Sequence, residues 1–271
     1  MILSDIGPVL LVGAGKMGLS LARGWIEGGL PPSALVLVDP TASDDAKSFS
    51  AKHGVRLQLS PEGVLTHVLV LAVKPQIISS VMVEVEPVVG PHTLVLSIAA
   101  GISLAQLSEG LGTKRIVRTM PNTPAQLGKG ITGAVPLSIS DADHDVVDAL
   151  LSAVGAVEWF AEESAIDGVT AVSGSGPAYV FYMVEALAAA AEQQGFDPEQ
   201  AMRLARATII GAAALLDADP APASQLRKNV TSPNGTTAAA LEVLMGPDGL
   251  APVLAKAVAA ARRRSEELGK R

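Results

Sequence analysis

Residues 8–18 read Pro-Val-Leu-Leu-Val-Gly-Ala-Gly-Lys-Met-Gly, so an apolar run passes directly into a glycine-rich turn. The run Pro8–Val12 predicts a buried strand, and a helical pattern follows from about Met17 to Glu27. The turn therefore lies in a strand-turn-helix unit, the setting in which G-x-G-x-x-G binds the pyrophosphate of a dinucleotide. This stretch predicts that the chain begins with a Rossmann-type unit.

The three glycines of the turn have different predicted roles. Gly13 permits the tight turn, Gly15 lets a pyrophosphate approach the backbone, and Gly18 lets the helix pack on the strand. The helix N-terminus adds unpaired N–H groups and the positive end of its dipole. A glycine-rich turn without a ligand is the alternative. The residues assigned to the cofactor here are Gly13, Ala14, Gly15, Lys16, Met17 and Gly18.

An acidic residue, Asp39, follows the second apolar run, about 20 residues after the last glycine of the turn. A carboxylate at this position accepts hydrogen bonds from ribose hydroxyls and repels a 2′-phosphate. The sequence therefore favours tolerance of NADH. The alternative is that Asp39 only caps the turn while Thr41 and Ser43 hold a 2′-phosphate, so the predicted cofactor is NADP(H) or NAD(H).

Further apolar runs alternate with helical segments through the first half of the chain. The runs are Leu35–Val38, Val68–Val73, Leu94–Ile98, Ile116–Met120 and Val157–Phe160. Repeated strand-helix units predict a mainly parallel sheet with helices on both faces. The fold class is therefore α/β, a Rossmann-type doubly wound sheet.

The strand pattern stops after Phe160, and from Ser164 onward the pattern is helical. Helices are predicted at Ala178–Gln194, at Pro198–Leu216 and from about Thr237 to Leu268. We predict a dinucleotide-binding domain at 1–163 and an all-α substrate-binding and dimerisation domain at 164–271. The Ala-rich helices of the second domain are too apolar to remain exposed, which predicts a homodimer or a larger oligomer built from dimers.

Three more segments lie where parallel strands end at a cofactor crevice. Residues 72–75 (Ala72, Val73, Lys74, Pro75) offer the cation of Lys74, and a lysine that simply lies along the sheet edge is the alternative. Ala99 and Ala100 are small enough for a flat ring to approach the backbone, although a tight turn explains them equally. Asn122, between two prolines, is assigned to the nicotinamide or its ribose, with a rigid loop as the alternative.

The composition excludes several classes of function. The net charge is −7, the pI is near 5.1 and no run of Lys or Arg occurs, so neither nucleic acid nor an anionic membrane is an expected partner. The absence of cysteine excludes disulfides, thiolate metal sites and cysteine nucleophiles. The uncharged stretch 87–108 is interrupted by prolines and glycines, so we expect no membrane span and a cytoplasmic location.

One segment has the donor types of a metal site. Asp141–Asp145 reads Asp-Ala-Asp-His-Asp and immediately precedes a helical run. We interpret it as cap residues and a solvated first turn, and predict no metal. The histidines are scattered, and we interpret them as surface or turn residues: His53, His67, His92 and His144.

Three later segments resemble a known family. They are Val-Arg-Thr-Met-Pro-Asn-Thr-Pro-Ala at 117–125, Ser-Gly-Ser-Gly-Pro-Ala-Tyr at 173–179 and Val-Thr-Ser-Pro-Asn-Gly-Thr-Thr-Ala-Ala-Ala-Leu at 230–241. With the glycine-rich turn and residues 72–75, they closely resemble pyrroline-5-carboxylate reductases over nearly the whole chain. Asn234 stands where that family more often has Gly, and Asn tolerates the left-handed backbone, so we expect the loop shape to persist.

The resemblance implies reduction of 1-pyrroline-5-carboxylate to L-proline, the last step of proline synthesis, at a site formed at a dimer interface. It places the substrate carboxylate on the backbone of Ser232, Gly235, Thr236 and Thr237. It also places the Thr237 hydroxyl beside the ring nitrogen, as the catalytic group. From the residues alone, an ordinary helix N-cap without a ligand is the more frequent explanation of this segment.

Two other functions remain open at this stage. A β-hydroxyacid dehydrogenase-like enzyme needs a base, usually Lys, on an inward helix face, and the helices after Tyr179 have no Lys before Lys228. A dinucleotide-sensing protein without chemistry is the non-enzymatic alternative. Arg118 is expected either to pair with a carboxylate or to touch ligand, and Ser175 either to allow close helix packing or to contact substrate.

Overall fold

The computed structural model describes residues 2–269, which divide into two compact units. Unit 1 comprises residues 2–175 and 261–269, and unit 2 comprises residues 176–260. The domain bounds of 1–163 and 164–271 remain a prediction. They mark the point where the strand pattern ends, whereas the two compact units are defined by which residues pack together.

Unit 1 contains one eight-stranded sheet among the described residues, in the order β3-β2-β1-β4-β5-β6-β7-β8. All neighbouring strands are parallel except β6 and β7, which are antiparallel. The mainly parallel sheet predicted from the sequence is confirmed. The strands are β1 (Val9–Val12), β2 (Leu35–Val38), β3 (Arg56–Gln58), β4 (Val68–Leu71), β5 (Leu94–Ser97), β6 (Ile116–Met120), β7 (Gly130–Pro136) and β8 (Gly155–Trp159).

Two strands, β3 and β7, were not predicted. β3 is a three-residue edge strand of polar character, and none of its residues is fully buried. β7 contains Gly130 and Gly133 and ends at Pro136, residue types that weaken a strand pattern. Both strands form because their neighbours in the sheet supply the hydrogen-bonding partners, not because of their own propensity.

The helices of unit 1 cover both faces of the sheet. They are α1 (Lys16–Glu27), α2 (Asp44–His53), α3 (Ile78–Val85), α4 (Leu104–Leu111), α5 (Asp141–Ser152) and α6 (Ala165–Val169). On one face α1 and α5 bury Trp25 and Leu150, and the Trp25 indole N–H donates to the Leu150 carbonyl at 2.8 Å. On the other face α3 and α4 bury Val81 and Leu107. Because β1, β2, β4 and β5 are buried on both faces, they are continuous apolar runs.

A π-helical turn, Thr170–Gly174, continues directly from α6 at the end of unit 1. Such turns are rare and occur often near functional sites. Here the turn includes part of the 173–179 segment that resembles the family. The backbone N–H of Ser175 donates to the carbonyl of Thr170 at 2.8 Å and so closes the turn.

Unit 2 is helical throughout its regular structure, as predicted. It contains α7 (Gly176–Glu192), α8 (Pro198–Ala218), α9 (Ala223–Asn229), α10 (Thr236–Leu244) and the first part of α11 (Leu250–Leu268). The predicted helical stretch from about Thr237 to Leu268 consists of two helices, since residues 245–249 separate α10 from α11. The glycines and proline in Met-Gly-Pro-Asp-Gly terminate α10, because Pro lacks an N–H and Gly favours helix ends.

The core of unit 2 is small, while its surface is strongly apolar. Ala188, Ala201 and Ala205 form the buried cluster between α7 and α8. Phe181 and Tyr182 of α7 are 64% and 70% exposed. Neighbouring apolar residues of α7, Val180 and Leu187, are also exposed. Monomeric proteins rarely expose large contiguous apolar patches, so this surface has the character of an interface.

Candidate active site

The glycine-rich turn between β1 and α1 has the geometry that the motif requires. Gly13 has φ +100°, and a Cβ on it would lie 2.5 Å from the carbonyl oxygen of Ala72. A Cβ on Gly18 would collide with the carbonyl oxygen of Gly13, because α1 packs directly on the turn. Both glycines are therefore required by the protein's own packing, as predicted for the tight turn and for the helix contact.

Gly15 differs from the other two glycines, because a Cβ on it would meet nothing within 4 Å. Its backbone is extended, it precedes α1 as the N-cap, and no side chain caps the helix. The space above Gly15 thus lies at a helix N-terminus, where N–H groups and the dipole favour an anion. These residues fit the pyrophosphate of a dinucleotide, which needs a close approach to the backbone at this glycine.

Asp39 follows β2 and reaches the same turn. Its Oδ2 accepts a hydrogen bond from the backbone N–H of Ala14 at 3.0 Å, and its Oδ1 accepts from the backbone N–H of Thr41 at 2.8 Å and from the Thr41 hydroxyl at 3.2 Å. A carboxylate has about four lone-pair sites, so capacity remains for a ribose hydroxyl. The side chain is half-buried and points toward the glycine turn.

The strand-end segments on the other side of β1 lie next to each other in the sheet. β4 pairs with β1 and with β5, so residues 72–75 and 98–101 leave neighbouring strands at their carboxyl ends. Lys74 is exposed and precedes a short 3₁₀ helix, Pro75–Ile77. Ala99 is 3% exposed, and its N–H donates to the hydroxyl of Ser97 at 3.3 Å. The sequence-assigned residues of these two segments therefore lie at one edge of the sheet.

Asn122 bridges two parts of unit 1. It is buried, its Oδ1 accepts from the backbone N–H of Ile131 at 3.0 Å, and its Nδ2 donates to the carbonyl of Ser173 at 3.2 Å. The rigid-loop interpretation describes these contacts. An assignment of Asn122 to the cofactor remains a prediction.

Arg118 on β6 forms an ion pair, which was one of its two expected roles. Its Nη1 donates to Oε1 of Glu163 at 2.6 Å, and the same oxygen accepts from the backbone N–H of Leu104 at 2.7 Å. Arg118 is only 7% exposed. Glu163 thus satisfies a buried guanidinium and one of the free N–H groups at the start of α4. Nothing in the sequence identified Glu163, because 45 residues separate it from Arg118.

The loop before α10 forms a compact turn in unit 2. Asn234 has φ +57°, the single positive value for a non-glycine residue within 2–269, so the predicted left-handed conformation is confirmed. The N–H of Gly235 donates to the carbonyl of Ser232 at 3.1 Å, and a Cβ on Gly235 would collide with the Ser232 hydroxyl. Thr236 begins the helix, as predicted, and Thr237 is half-buried.

The start of α10 carries no side-chain cap, because its N-cap residue is Gly235. An ordinary N-cap has a Ser, Thr, Asp or Asn oxygen that accepts an N–H of the first turn. At α10 the hydroxyl residues Ser232, Thr236 and Thr237 flank the helix start instead. The first-turn N–H groups are therefore available to an external acceptor such as a carboxylate.

The metal-like segment is part of a helix cap and an ion pair. Ser140 and Asp143 form a reciprocal capping box at the start of α5, as the cap interpretation predicted. The prediction of a solvated turn is wrong for Asp143, which is 3% exposed and accepts from Nε of Arg115 at 2.9 Å. The hydrogen bond from Arg115 lowers the pKa of the Asp143 carboxyl, and bonds from Ser140 act in the same direction against the effect of burial. Within residues 2–269 no three His, Asp or Glu side chains lie close enough together to hold a metal ion.

Comparisons with known proteins cover nearly the whole chain. Residues 163–268 match the family model "Pyrroline-5-carboxylate reductase dimerisation", and residues 8–101 match "NADP oxidoreductase coenzyme F420-dependent". The pyrroline-5-carboxylate reductase of Pseudomonas aeruginosa is 40% identical over 263 residues, 96% of each chain. The chain belongs to the pyrroline-5-carboxylate reductase family.

Solved structures of that family have the same fold. A pyrroline-5-carboxylate reductase from Coxiella burnetii matches with a TM-score of 0.92 and 35% identity, covering 98% of this chain and 100% of the other. The pyrroline carboxylate reductase of Plasmodium falciparum, solved with NADP bound, matches with a TM-score of 0.82 and 28% identity, covering 98% and 99%. The predicted family, the fold class and the enzyme class of NAD(P)H-dependent oxidoreductase are confirmed.

The comparisons also bear on the partners predicted from the sequence. A dimerisation region spans 163–268, in accord with the apolar surface of unit 2. None of the helices within residues 2–269 combines the length and the apolarity needed to cross a bilayer.

Proposed function

We propose that this chain reduces the C=N bond of 1-pyrroline-5-carboxylate to give L-proline, with NADPH or NADH as reductant. The observation that carries the proposal is the geometry of the glycine turn, where the open space at Gly15 lies at an uncapped helix start. The substrate follows from membership of the family and from the uncapped start of α10.

Unit 1 would hold the cofactor. The backbone around Gly15 binds the pyrophosphate, and Asp39 accepts from the adenosine ribose. The segments at the ends of β4 and β5 border the position of the nicotinamide, and Asn122 fixes the neighbouring loop. The full set proposed for the cofactor is Gly13, Ala14, Gly15, Lys16, Met17, Gly18, Asp39, Ala72, Val73, Lys74, Pro75, Ala99, Ala100 and Asn122.

Unit 2 would hold the substrate carboxylate. The first-turn N–H groups of α10, together with the turn from Ser232 to Gly235, donate to its oxygens. Thr236 contributes its backbone, and the hydroxyl of Thr237 lies beside the ring nitrogen. The carboxylate is thereby fixed by dipoles, in a protein whose net charge of −7 would not attract an anion by itself.

The proposed reaction requires no strongly acidic or basic side chain. The reduced nicotinamide supplies the hydride that the imine carbon accepts. The ring nitrogen carries its own proton in the iminium form, so the protein supplies orientation and a hydroxyl partner instead of a strong acid. Thr237 meets this need, because a hydroxyl both donates and accepts and therefore serves the nitrogen before and after reduction.

We also propose that the chain forms a homodimer through unit 2, and that larger assemblies are built from such dimers. An apolar groove between α7 and α8 is lined by Val180, Val184, Met202 and Ile209. The aromatic side chains of α7 beside it are exposed. Burial of this surface against a second copy would remove it from water, which is the dominant favourable term in association.

A steady-state assay tests the proposal directly. Purified protein is mixed with 1-pyrroline-5-carboxylate and either NADPH or NADH, and the loss of reduced nicotinamide is followed together with the formation of proline. Turnover with at least one cofactor is expected. No turnover with either would exclude the imine reductase, and turnover only of a β-hydroxyacid with the oxidised cofactor would favour the dehydrogenase alternative.

A further inference from the structure

The C-terminal end of α11 belongs to unit 1, although the helix starts in unit 2. Its residue Ser265 is 8% exposed, and the hydroxyl donates to Oδ1 of Asp167 on α6 at 2.6 Å. A short hydrogen bond to a carboxylate at a site with little solvent is stronger than one between neutral groups. This contact therefore fixes the last turns of the chain on the sheet-containing unit.

Those last turns approach the loop that follows β5. A Cβ on Gly101 would lie 3.3 Å from the carbonyl carbon of Leu268 and 3.4 Å from its oxygen. Gly101 has φ +73°, a conformation that side-chain-bearing residues rarely adopt. The backbone at Leu268 thus lies almost against the backbone of Gly101, at a distance that only a glycine permits without displacement.

The loop after β5, residues 98–101, is held differently at its two ends. At the start, the N–H of Ile98 donates to the carbonyl of Leu71 at 3.0 Å, and Thr119 donates to the carbonyl of Ser97 at 3.2 Å. These bonds tie the loop to the sheet. At Gly101 the backbone is intrinsically free to change φ, because glycine has no Cβ. The contact with Leu268 restricts this freedom at the far end of the loop.

We propose that Ser265 is a positioning residue for the cofactor, which acts by holding the Leu268 turn against Gly101 and so fixes the shape of Ala99–Gly101. The proposal rests on the proposed function, in which this loop borders the nicotinamide. Loss of the Ser265–Asp167 bond would release the turn and widen the range of loop conformations. The affinity for the cofactor would then fall, because binding would have to order the loop. The affinity of the carboxylate site at α10 would be unaffected.

The test compares Ser265→Ala with Ser265→Thr in the full-length protein. Removal of the hydroxyl should raise the KM for NADPH by about fivefold. This is less than the full effect of losing a hydrogen bond to a charged group, because Ser265 acts on the cofactor only through the loop. The KM for the imino acid should change less than about twofold, and kcat at saturating NADPH should be retained. Ser265→Thr keeps the hydroxyl and should restore the wild-type KM for NADPH. Ser152→Ala, an exposed serine in the last turn of α5, is the matched control.

A shortened chain that ends at Glu267 tests the other half of the proposal. It keeps the Ser265–Asp167 bond and removes Leu268, so it should raise the KM for NADPH by a similar factor. An unchanged KM for NADPH in both Ser265→Ala and the shortened chain would overturn the proposal. So would an equal rise in both KM values with a lowered melting temperature, because that pattern indicates general destabilisation. Absence of turnover in the wild type would instead refute the proposed function itself.

Discussion

The carboxylate of Asp39 accepts a hydrogen bond from the backbone N–H of Ala14, across 3.0 Å between Oδ2 and N. The acidic residue after β2 therefore holds the glycine turn, in addition to its proposed contact with the ribose. Its two roles separate chemically, because the hydrogen bond needs only an acceptor oxygen whereas repulsion of a 2′-phosphate needs the negative charge. Substitutions that keep one property and remove the other distinguish them.

Asp39→Ser should shift the preference toward NADPH. Removal of one like charge near a 2′-phosphate changes the binding free energy by roughly 1–2 kcal/mol, so the ratio of kcat/KM for NADPH to that for NADH should rise about tenfold. Asp39→Asn keeps an oxygen that can accept from the N–H of Ala14. It should therefore shift the cofactor ratio as much as Asp39→Ser does, with a smaller loss of stability. An unchanged cofactor ratio in both variants would show that Asp39 does not face the ribose.

The glycines at 15 and 18 should respond oppositely to substitution by alanine. Gly15→Ala places a methyl group in open space on an extended backbone, so the melting temperature should stay within a few degrees while the KM for the cofactor rises about tenfold or more. Gly18→Ala forces α1 away from Gly13 and should cost about 1–3 kcal/mol of stability. Thermal unfolding and cofactor titration measure the two effects. Normal cofactor binding by a stable Gly15→Ala variant would contradict the proposed pyrophosphate position.

Thr237→Val should lower kcat/KM for the imino acid by about tenfold or more, since a lost hydrogen bond to a charged group is worth about 1.5–3 kcal/mol. The substitution preserves shape and removes only the hydroxyl. Thr236→Val is the matched control, because only the backbone of Thr236 is assigned to the carboxylate, and Thr237→Ser should restore most of the activity. Wild-type kinetics for Thr237→Val would refute the role of its hydroxyl.

Phe181→Glu should dissociate the proposed dimer. The side chain is 64% exposed in the isolated chain, and a charge placed in an apolar interface without a partner is costly. Light scattering coupled to size exclusion should show the mass falling from that of a dimer, or a multiple of it, to that of one chain. Val83→Glu introduces the same charge at an exposed apolar position of α3 in unit 1 and should leave the mass unchanged.

Asp143→Asn should destabilise the protein in a pH-dependent manner. The pKa of Asp143 is lowered in the folded state by its hydrogen bond with Arg115, so its carboxylate contributes stability at pH values above the ordinary value of 3.8. Breaking this partly buried pair should cost about 1.5–3 kcal/mol at neutral pH. The difference in unfolding free energy between wild type and variant should shrink as the pH falls below 3.8 toward the lowered pKa. Asp141→Asn, at an exposed residue in the same helical turn, is the matched control and should cost less stability at neutral pH than Asp143→Asn.

The sequence was sufficient to predict the strands that are buried on both faces and the segments that carry a motif. β1 and β2 are continuous apolar runs because both faces of a parallel sheet are covered, and this pattern is independent of distant residues. The turn between β1 and α1 was predictable because its three glycines have the motif spacing and stand directly between a strand pattern and a helix pattern. The left-handed Asn234 and the start of α10 at Thr236 are likewise local properties.

The features that the sequence did not predict involve residues whose pairing or burial depends on partners far away in the chain. β7 contains two glycines and forms because β6 and β8 supply its hydrogen bonds. Asp143 has the sequence context of a solvated cap and is buried because Arg115 reaches it across 28 residues. The predicted helical stretch after Thr237 was not divided into α10 and α11 for a different reason: the apolar pattern on either side outweighed the glycine and proline signals at 246–249.

The amino-acid sequence by itself determined the strands β1 and β2, the glycine-rich turn and the left-handed backbone at Asn234, because each depends on steric and patterning rules that act within a few residues. Only the tertiary structure decided that Glu163 pairs with Arg118, that Asn122 bridges Ile131 and Ser173, and that the last turn of the chain lies against Gly101. Such contacts join residues brought together by packing of the whole unit, and no local pattern encodes which side chains will meet.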